Sequence, residues 1–208
     1  MNNTGQESFT ATAGILRGAL GFTIVSVAGF AVWAFGGRWF YTRVGEAGLY
    51  AACAMVFVAL SGLLLHPLVA APRRLARFYK IFIPAFLLYA AVWSACWFKW
   101  RFGLGEWLAS LLGCAAFAVV LAIAFRNARP LAWAIIILFA LHSAGYFVGG
   151  WLYKWSNADS GREALHISKS AAALVAKLGW GICYGLGFGA GIGAAFHLLQ
   201  KTARRKAT

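Results

Sequence analysis

The sequence predicts an all-α integral membrane protein, a bundle of six transmembrane helices arranged as three helical hairpins. Three observations support this fold class. Hydrophobic residues make up 62% of the 208 residues and charged residues only 12%. The hydrophobic residues fall into six long stretches, and almost every charge lies between them. A helix needs about 20 apolar residues to cross a hydrocarbon core ~30 Å thick, and a lipid-exposed backbone must satisfy its own hydrogen bonds, so each stretch is expected to be a helix.

The six predicted spans are each near or above the required length. In order they are Gly14–Phe35, Ala47–Val69, Ile81–Phe98, Trp107–Phe125, Leu131–Tyr153 and Ala171–Leu199. The longest polar insert, Lys154–Ser170, is too short to form a soluble domain. The start of the chain lacks the basic region and cleavage site of a signal peptide, so the first helix is expected to be retained. The predicted organisation is a polar tail at 1–13, a transmembrane domain at 14–199 and a basic cytoplasmic tail at 200–208.

The charges between the helices predict an orientation. The net charge is +14, and an excess of Lys and Arg marks the cytoplasmic side of a membrane protein. If both termini are cytoplasmic, eleven basic residues lie inside and seven outside, with Lys177 set apart within the last helix. We therefore expect an integral protein of the cytoplasmic (inner) membrane with both termini in the cytoplasm.

A weak internal repeat relates the first two hairpins. Ala31-Val32-Trp33 recurs as Ala91-Val92-Trp93, and Gly45-Glu46 recurs as Gly105-Glu106, both at an offset of sixty residues. Phe57 and Phe117 share that offset. Duplication of one ancestral hairpin explains these matches, and so does convergence, because the ends of transmembrane helices favour Trp and Gly.

Tryptophan lies mainly on the predicted outer side. Nine of the ten Trp residues fall there, and Trp133 alone falls on the inner side. Each repeat places a Trp near the outer end of one helix and a Glu at the start of the next. We therefore expect an outer aromatic and acidic vestibule leading toward a buried histidine, with this set of ligand-binding candidates: Trp33, Trp93, Glu46, Glu106 and His142. Trp rings and carboxylates together suit a cation, whereas Glu residues that cap helices and Trp residues that face lipid are the simpler interpretation.

The last helix carries a ladder of glycines. Gly181, Gly185, Gly189 and Gly193 repeat every four residues, so they lie on one face of the helix, with Gly187 and Gly191 in a second row. Such a ladder allows the backbone of another helix to approach closely. It predicts that this helix lies at the centre of the bundle or at an interface with a second copy or a partner subunit. Binding of a flat cofactor or lipid is a further alternative.

Few ionisable side chains lie within the predicted helices. His142 lies midway along the fifth helix, where it is a candidate proton relay, cofactor ligand or polar contact between helices. Lys177 is expected to extend to the outer interface or to pair with Glu46 or Glu106. His66 and His197 lie near the inner ends of their helices, the same depth, which makes them weak candidates for a bis-histidine haem site.

The motifs leave two function classes open. One is a small-solute or ion transporter or channel. The other is a non-catalytic membrane subunit or scaffold of a larger complex, with haem, quinone or pigment as its cofactor candidates. An enzyme is the less favoured third, because the sequence contains no HExxH, GxSxG or P-loop motif and no Asp or Glu inside a predicted helix. The cysteines show no spacing typical of a metal site.

The predicted orientation can be tested by labelling. A Cys placed at Asn157 should react with a membrane-impermeant thiol reagent added from outside intact cells, and one placed at Ala203 should react only after the membrane is opened. The reverse pattern would show that both termini lie outside.

Overall fold

The computed structural model describes residues 10–70 and 72–204, and over this range it is built from helices. The helices are α1 (Ala11–Arg43), α2 (Gly45–Leu65), a short 3-10 helix (His66–Leu68), α3 (Arg74–Trp100), α4 (Leu104–Ala124), α5 (Leu131–Asn157), α6 (Asp159–Leu165) and α7 (Lys169–Arg204). Six of them, all except α6 and the 3-10 helix, are long and apolar enough to cross a membrane. The predicted all-α membrane bundle is therefore confirmed, while residues 1–9 and 205–208 of the predicted tails lie outside the described residues.

The helices extend beyond the apolar stretches that predicted them. The third begins at Arg74 rather than at Ile81, and the first continues to Arg43. These added turns carry basic side chains, so a search for apolar stretches leaves them out. Long cationic side chains at a helix end can nevertheless reach the polar interface. The polar insert also contains a short helix, α6, that the sequence did not predict. An ion pair between Asp159 and Arg162 lies within it.

The six spanning helices form a closed ring. Each packs against the spanning helix before and after it in the chain, and α7 packs against α1 to complete the circle. Neighbours therefore run antiparallel. One end of the ring carries the connections at 44, 101–103 and 158–168, and we call it the aromatic end. The other carries the connections at 66–73 and 125–130 together with both ends of the described chain, and we call it the terminal end.

Aromatic side chains fill the interior of the ring from its middle to the terminal end. Phe82 packs on Phe78 and Phe86 of its own helix, with ring centroids 4.9 and 5.4 Å away, and on Phe117 of α4 at 5.9 Å. We call eight of the buried phenylalanines the phenylalanine column; its members are Phe22, Phe57, Phe78, Phe82, Phe86, Phe117, Phe188 and Phe196. Five of the six spanning helices contribute to the column, so helices on opposite sides of the bundle contact one another through it.

The first glycine row of α7 packs on the backbone of α1. A Cβ added to Gly189 would strike the carbonyl oxygen of Gly18, and one added to Gly193 would strike that of Gly14. Farther along the same interface, the Ser26 hydroxyl donates a hydrogen bond of 2.7 Å to the Gly181 carbonyl. These contacts confirm the predicted close backbone approach, and the neighbour is a helix of the same chain.

The second glycine row packs on α5. A Cβ at Gly187 would meet the Leu141 carbonyl and the Cα of Gly145, and one at Gly191 would meet Leu138. Helix α7 therefore approaches two neighbours at backbone distance, one on each row. This arrangement makes α7 the most buried of the spanning helices.

The two copies of the sequence repeat occupy related positions but differ in detail. Phe57 and Phe117 both belong to the phenylalanine column. The turn glycines do not match: Gly45 has a φ of +75° at the start of α2, whereas the corresponding glycine before α4 is Gly103, with a φ of +66°. The offset between these glycines is two residues shorter than the offset of the repeat, so common ancestry of the hairpins remains a prediction.

Hydrogen bonds from two side-chain amides join the connections at the terminal end to α7. The Gln200 amide accepts a hydrogen bond of 3.1 Å from the Ala70 N–H and donates one of 2.9 Å to the Leu68 carbonyl. The buried Asn127 amide donates to the Leu199 carbonyl at 2.8 Å. The connection after α2 and the connection after α4 are thus both tied to the end of α7.

We predict that Gly189→Leu destabilises the protein by about 1–3 kcal/mol or more, because the new side chain overlaps the backbone of α1. The matched control is Ala51→Leu, which places the same side chain at an exposed position of α2. Unfolding in a detergent titration measures both. Equal stability of Gly189→Leu and the unchanged protein would show that α1 does not pack on this row.

Candidate functional site

The candidate site lies at the aromatic end of the ring, where side chains from all six spanning helices meet. We call its seven rings the aromatic cluster: Trp33 of α1, Tyr50 of α2, Trp93 and Trp97 of α3, Tyr146 and Tyr153 of α5, and Trp180 of α7. Helix α4 contributes Glu106. Most of these residues are half-buried, so the cluster is partly open at the end of the ring.

Ring contacts connect the cluster across the bundle. Trp180 lies 6.0 Å from Trp33 and 5.5 Å from Tyr146, measured between centroids. Tyr146 in turn lies 5.8 Å from Trp93. The two predicted tryptophans, Trp33 and Trp93, are therefore linked through Tyr146 and Trp180.

Glu106 acts both as a helix cap and as a hydrogen-bond acceptor for the cluster. One carboxylate oxygen accepts from the Gly103 N–H at 3.1 Å, which closes the first turn of α4. The other accepts from the Tyr146 hydroxyl at 3.1 Å. The capping interpretation and the site interpretation both describe this residue.

Glu46 lies at the rim. Its carboxylate accepts from the guanidinium of Arg101, with a shortest distance of 3.2 Å, and both side chains are partly exposed. Arg101 also lies over the ring of Trp97, 5.6 Å from its centroid. Glu46 adjoins the cluster through Tyr50, one turn farther along α2, whose ring is 6.3 Å from Trp93.

Lys177 takes neither of the carboxylate partners considered for it. Its Nζ lies 5.0 Å from the centroid of the Trp33 ring and donates to the Trp33 carbonyl at 3.4 Å. The ion pairs that join two described residues include Arg101–Glu46 and Arg162–Asp159. Lys177 is instead held by an aromatic face and a carbonyl oxygen.

His142 lies below the cluster at the middle of the ring and is 0% exposed. Its ring stacks on that of Tyr146 at 6.0 Å. Its Nε2 lies 2.7 Å from the hydroxyl of Tyr89, and that hydroxyl lies 2.9 Å from the hydroxyl of Tyr184. A tyrosine hydroxyl donates once and accepts as well, so Tyr89 can bond both neighbours at once. The three side chains form the central triad, Tyr89–His142–Tyr184.

Several buried donors of this region lack an acceptor among the described residues. They include the indole N–H groups of Trp93, Trp97 and Trp180, and Nδ1 of His142 is likewise without a partner. These atoms have almost no exposed surface in this conformation, because neighbouring side chains cover them. An unpaired buried polar group costs about 1–3 kcal/mol, and native proteins leave few of them.

The two haem candidates lie at the terminal end, apart from the cluster. His66 follows α2, and its Nδ1 lies 3.0 Å from the Gly62 carbonyl oxygen. His197 lies on α7, beside the start of α1. Helix α1 lies between α2 and α7 in the ring and separates their backbones. Within the described residues there is no group of three His, Cys, Asp or Glu side chains placed to hold a metal ion.

Sequence reasoning missed two members of the central triad, Tyr89 and Tyr184. Each is a lone polar group in the middle of an apolar helix, and that position is the one signal of a role in the sequence. Tyr89, His142 and Tyr184 each lie near the middle of their helix, so they share one depth in the membrane. Only the packing of α3, α5 and α7 places them in contact.

Comparison with protein-family models, with curated proteins and with solved structures found no match to this chain.

We predict that Tyr89→Phe lowers the free energy of unfolding by about 1–3 kcal/mol, because it removes the hydroxyl shared by His142 and Tyr184 and leaves both without that bond. Hydrogen bonds between membrane helices are often weaker, ~0.6 kcal/mol on average, so a loss of that smaller size is expected if the triad rearranges. The matched control is Tyr153→Phe, since the Tyr153 hydroxyl forms no hydrogen bond with the described residues. Equal detergent-unfolding curves for the two variants would contradict the triad.

Proposed function

We propose that this protein is a small-solute transporter whose ligand enters the helix ring at the aromatic end. The observation that supports this proposal is the convergence of side chains from all six spanning helices on one cluster. In a helical bundle, a small-molecule site usually lies between the helices and has a small number of polar groups. A site to which every helix contributes also responds to movement of any one of them.

Burial along the ring axis gives the proposed path a direction. Trp33 and Trp93 are half-buried, Tyr146 is 8% exposed, and His142 is fully buried. Beyond His142 lies the phenylalanine column, which contains no polar side chain. The arrangement therefore fits a state that is accessible from the aromatic end and closed toward the terminal end, and transport requires the column to open.

The charge distribution orients this path. With the basic terminal end in the cytoplasm, the aromatic end faces outward across the cytoplasmic membrane. The ligand then arrives from outside, and the Gln200 and Asn127 hydrogen bonds at the terminal end belong to the inward closure.

A non-catalytic membrane subunit or scaffold is the second candidate. The observation that favours it is the packing of the terminal half, where aromatic side chains fill the ring. In this alternative, haem, quinone or pigment remains a cofactor candidate, with His66 and His197 as possible ligands. A partner subunit or second copy would dock on a face other than the first glycine row of α7, because α1 occupies that row.

Access to the closed half separates the two candidates without knowledge of the substrate. The test variant is Ala118→Cys, in a protein whose four native cysteines are changed to alanine. Ala118 is fully buried in the terminal half of α4. If the protein transports, the column opens at times, and we expect a charged, membrane-impermeant methanethiosulfonate added at the terminal end to modify this thiol slowly.

The matched control is Ile123→Cys, on the same helix but on the lipid side, where the residue is 70% exposed. A thiol in lipid does not ionise and is expected to stay unmodified. Labelling of Ala118→Cys no faster than Ile123→Cys, while a cysteine placed at Arg129 in the nearby loop reacts completely, would rule out transport and favour the scaffold.

A further inference from the structure

The chemistry of the aromatic cluster favours donors over acceptors. The indole nitrogens of Trp93, Trp97 and Trp180 are buried and have no acceptor within residues 10–70 and 72–204, and an indole N–H can only donate. The three rings belong to one run of contacts, since Trp97 stacks on Trp93 at 5.7 Å, and Trp93 connects to Trp180 through Tyr146. A ligand can reach these groups only when the neighbouring rings move apart, and it must then carry acceptor atoms.

The carboxylates near the cluster are already engaged. Glu46 accepts from Arg101, and Glu106 accepts from the Gly103 N–H and from the Tyr146 hydroxyl. A cationic ligand would have to compete with these partners for either carboxylate. Arg101 neutralises the charge of Glu46. Glu106 keeps its negative charge, but both of its oxygens already accept hydrogen bonds, so a cation would have to displace neutral donors to reach it.

The rim of the cluster carries a positive charge that forms no ion pair with a described residue. Lys177 lies beside Trp33, with an aromatic face and a backbone carbonyl as its contacts. At this end of the ring the sequence places eight basic residues against four acidic ones. A partly buried ammonium without a carboxylate is a favourable site for an anion, because a charge-assisted hydrogen bond is about twice as strong as a neutral one.

We propose that the aromatic cluster binds an aromatic carboxylate, with its carboxylate at Lys177 and its planar body against Trp33, Trp180 and Trp93. Stacking against indole rings accommodates a flat apolar body. The carboxylate supplies the negative charge and the acceptor oxygens that the cluster lacks. This inference rests on the proposed function, because it takes the aromatic end as the entrance for a ligand.

Three probes with the same body distinguish the ligand classes: naphthoate, naphthylmethylammonium and naphthalenemethanol. Each is titrated calorimetrically into the full-length protein in nanodiscs of zwitterionic lipid, and empty nanodiscs are subtracted to remove partitioning into lipid. We expect naphthoate to bind more tightly than the cation and the alcohol. Lys177→Gln should weaken naphthoate binding about tenfold or more, as loss of a charge-assisted hydrogen bond implies.

Variants separate charge from folding. Lys177→Arg should restore naphthoate binding in large part, because it keeps the positive charge. Trp180→Phe keeps a ring and removes the indole donor, with an expected loss of about fivefold. The matched control is Lys154→Gln, which removes the same charge from an exposed position at the same end and should leave binding unchanged.

The inference is overturned if naphthylmethylammonium binds as tightly as naphthoate or more so, if none of the probes binds, or if Lys154→Gln weakens binding as much as Lys177→Gln. None of these results decides whether the protein transports, since labelling of Ala118→Cys measures opening of the phenylalanine column without any ligand. The ligand class and the proposed function can therefore fail separately.

Discussion

Close packing of α7 between α1 and α5 is the contact on which the rest of the ring depends. Lipid tails are as apolar as the side chains of a membrane helix, so no hydrophobic gain drives the helices together, and close van der Waals contact must do so. The two glycine rows of α7 bring its backbone against two neighbours at once. Because α1 and α5 lie on either side of the last helix, the same contacts also close the ring between its first and last hairpins.

The closed ring creates an interior that side chains must fill. In the terminal half, the phenylalanine column does so with rings from several helices, and the buried polar side chains beside it include Ser61 and Asn127. In the other half, Trp and Tyr replace Phe, so the packing there brings hydrogen-bonding groups into a space shielded from water. The central triad marks the boundary between these halves, where His142 and the hydroxyls of Tyr89 and Tyr184 bond one another.

The aromatic half is less completely satisfied than the terminal half. Among the described residues, the buried indole donors have no acceptor, and Lys177 contacts Trp33 and not a carboxylate. Sites that deviate from full hydrogen bonding are where function is expected, because a protein tolerates such costs mainly where a ligand or a conformational change compensates for them. This imbalance, and not the presence of tryptophan alone, distinguishes the cluster from an ordinary interfacial belt.

The sequence by itself determined the membrane class, the six spans and the shared face of the α7 glycines, because each depends on composition or on spacing along a single helix. Gly185 and Gly189 share a face whatever surrounds them. It also predicted that Trp33, Trp93, Glu106 and His142 belong to one region, since their depths along the helices follow from position in the chain.

Only the tertiary structure decided which faces of the helices meet. Arg101 neutralises Glu46, and Glu106 both caps α4 and accepts from Tyr146. His142 bonds Tyr89, which in turn bonds Tyr184. Those contacts depend on the rotation of each helix about its own axis, and the partners that fix this rotation lie on other helices, far away in the sequence.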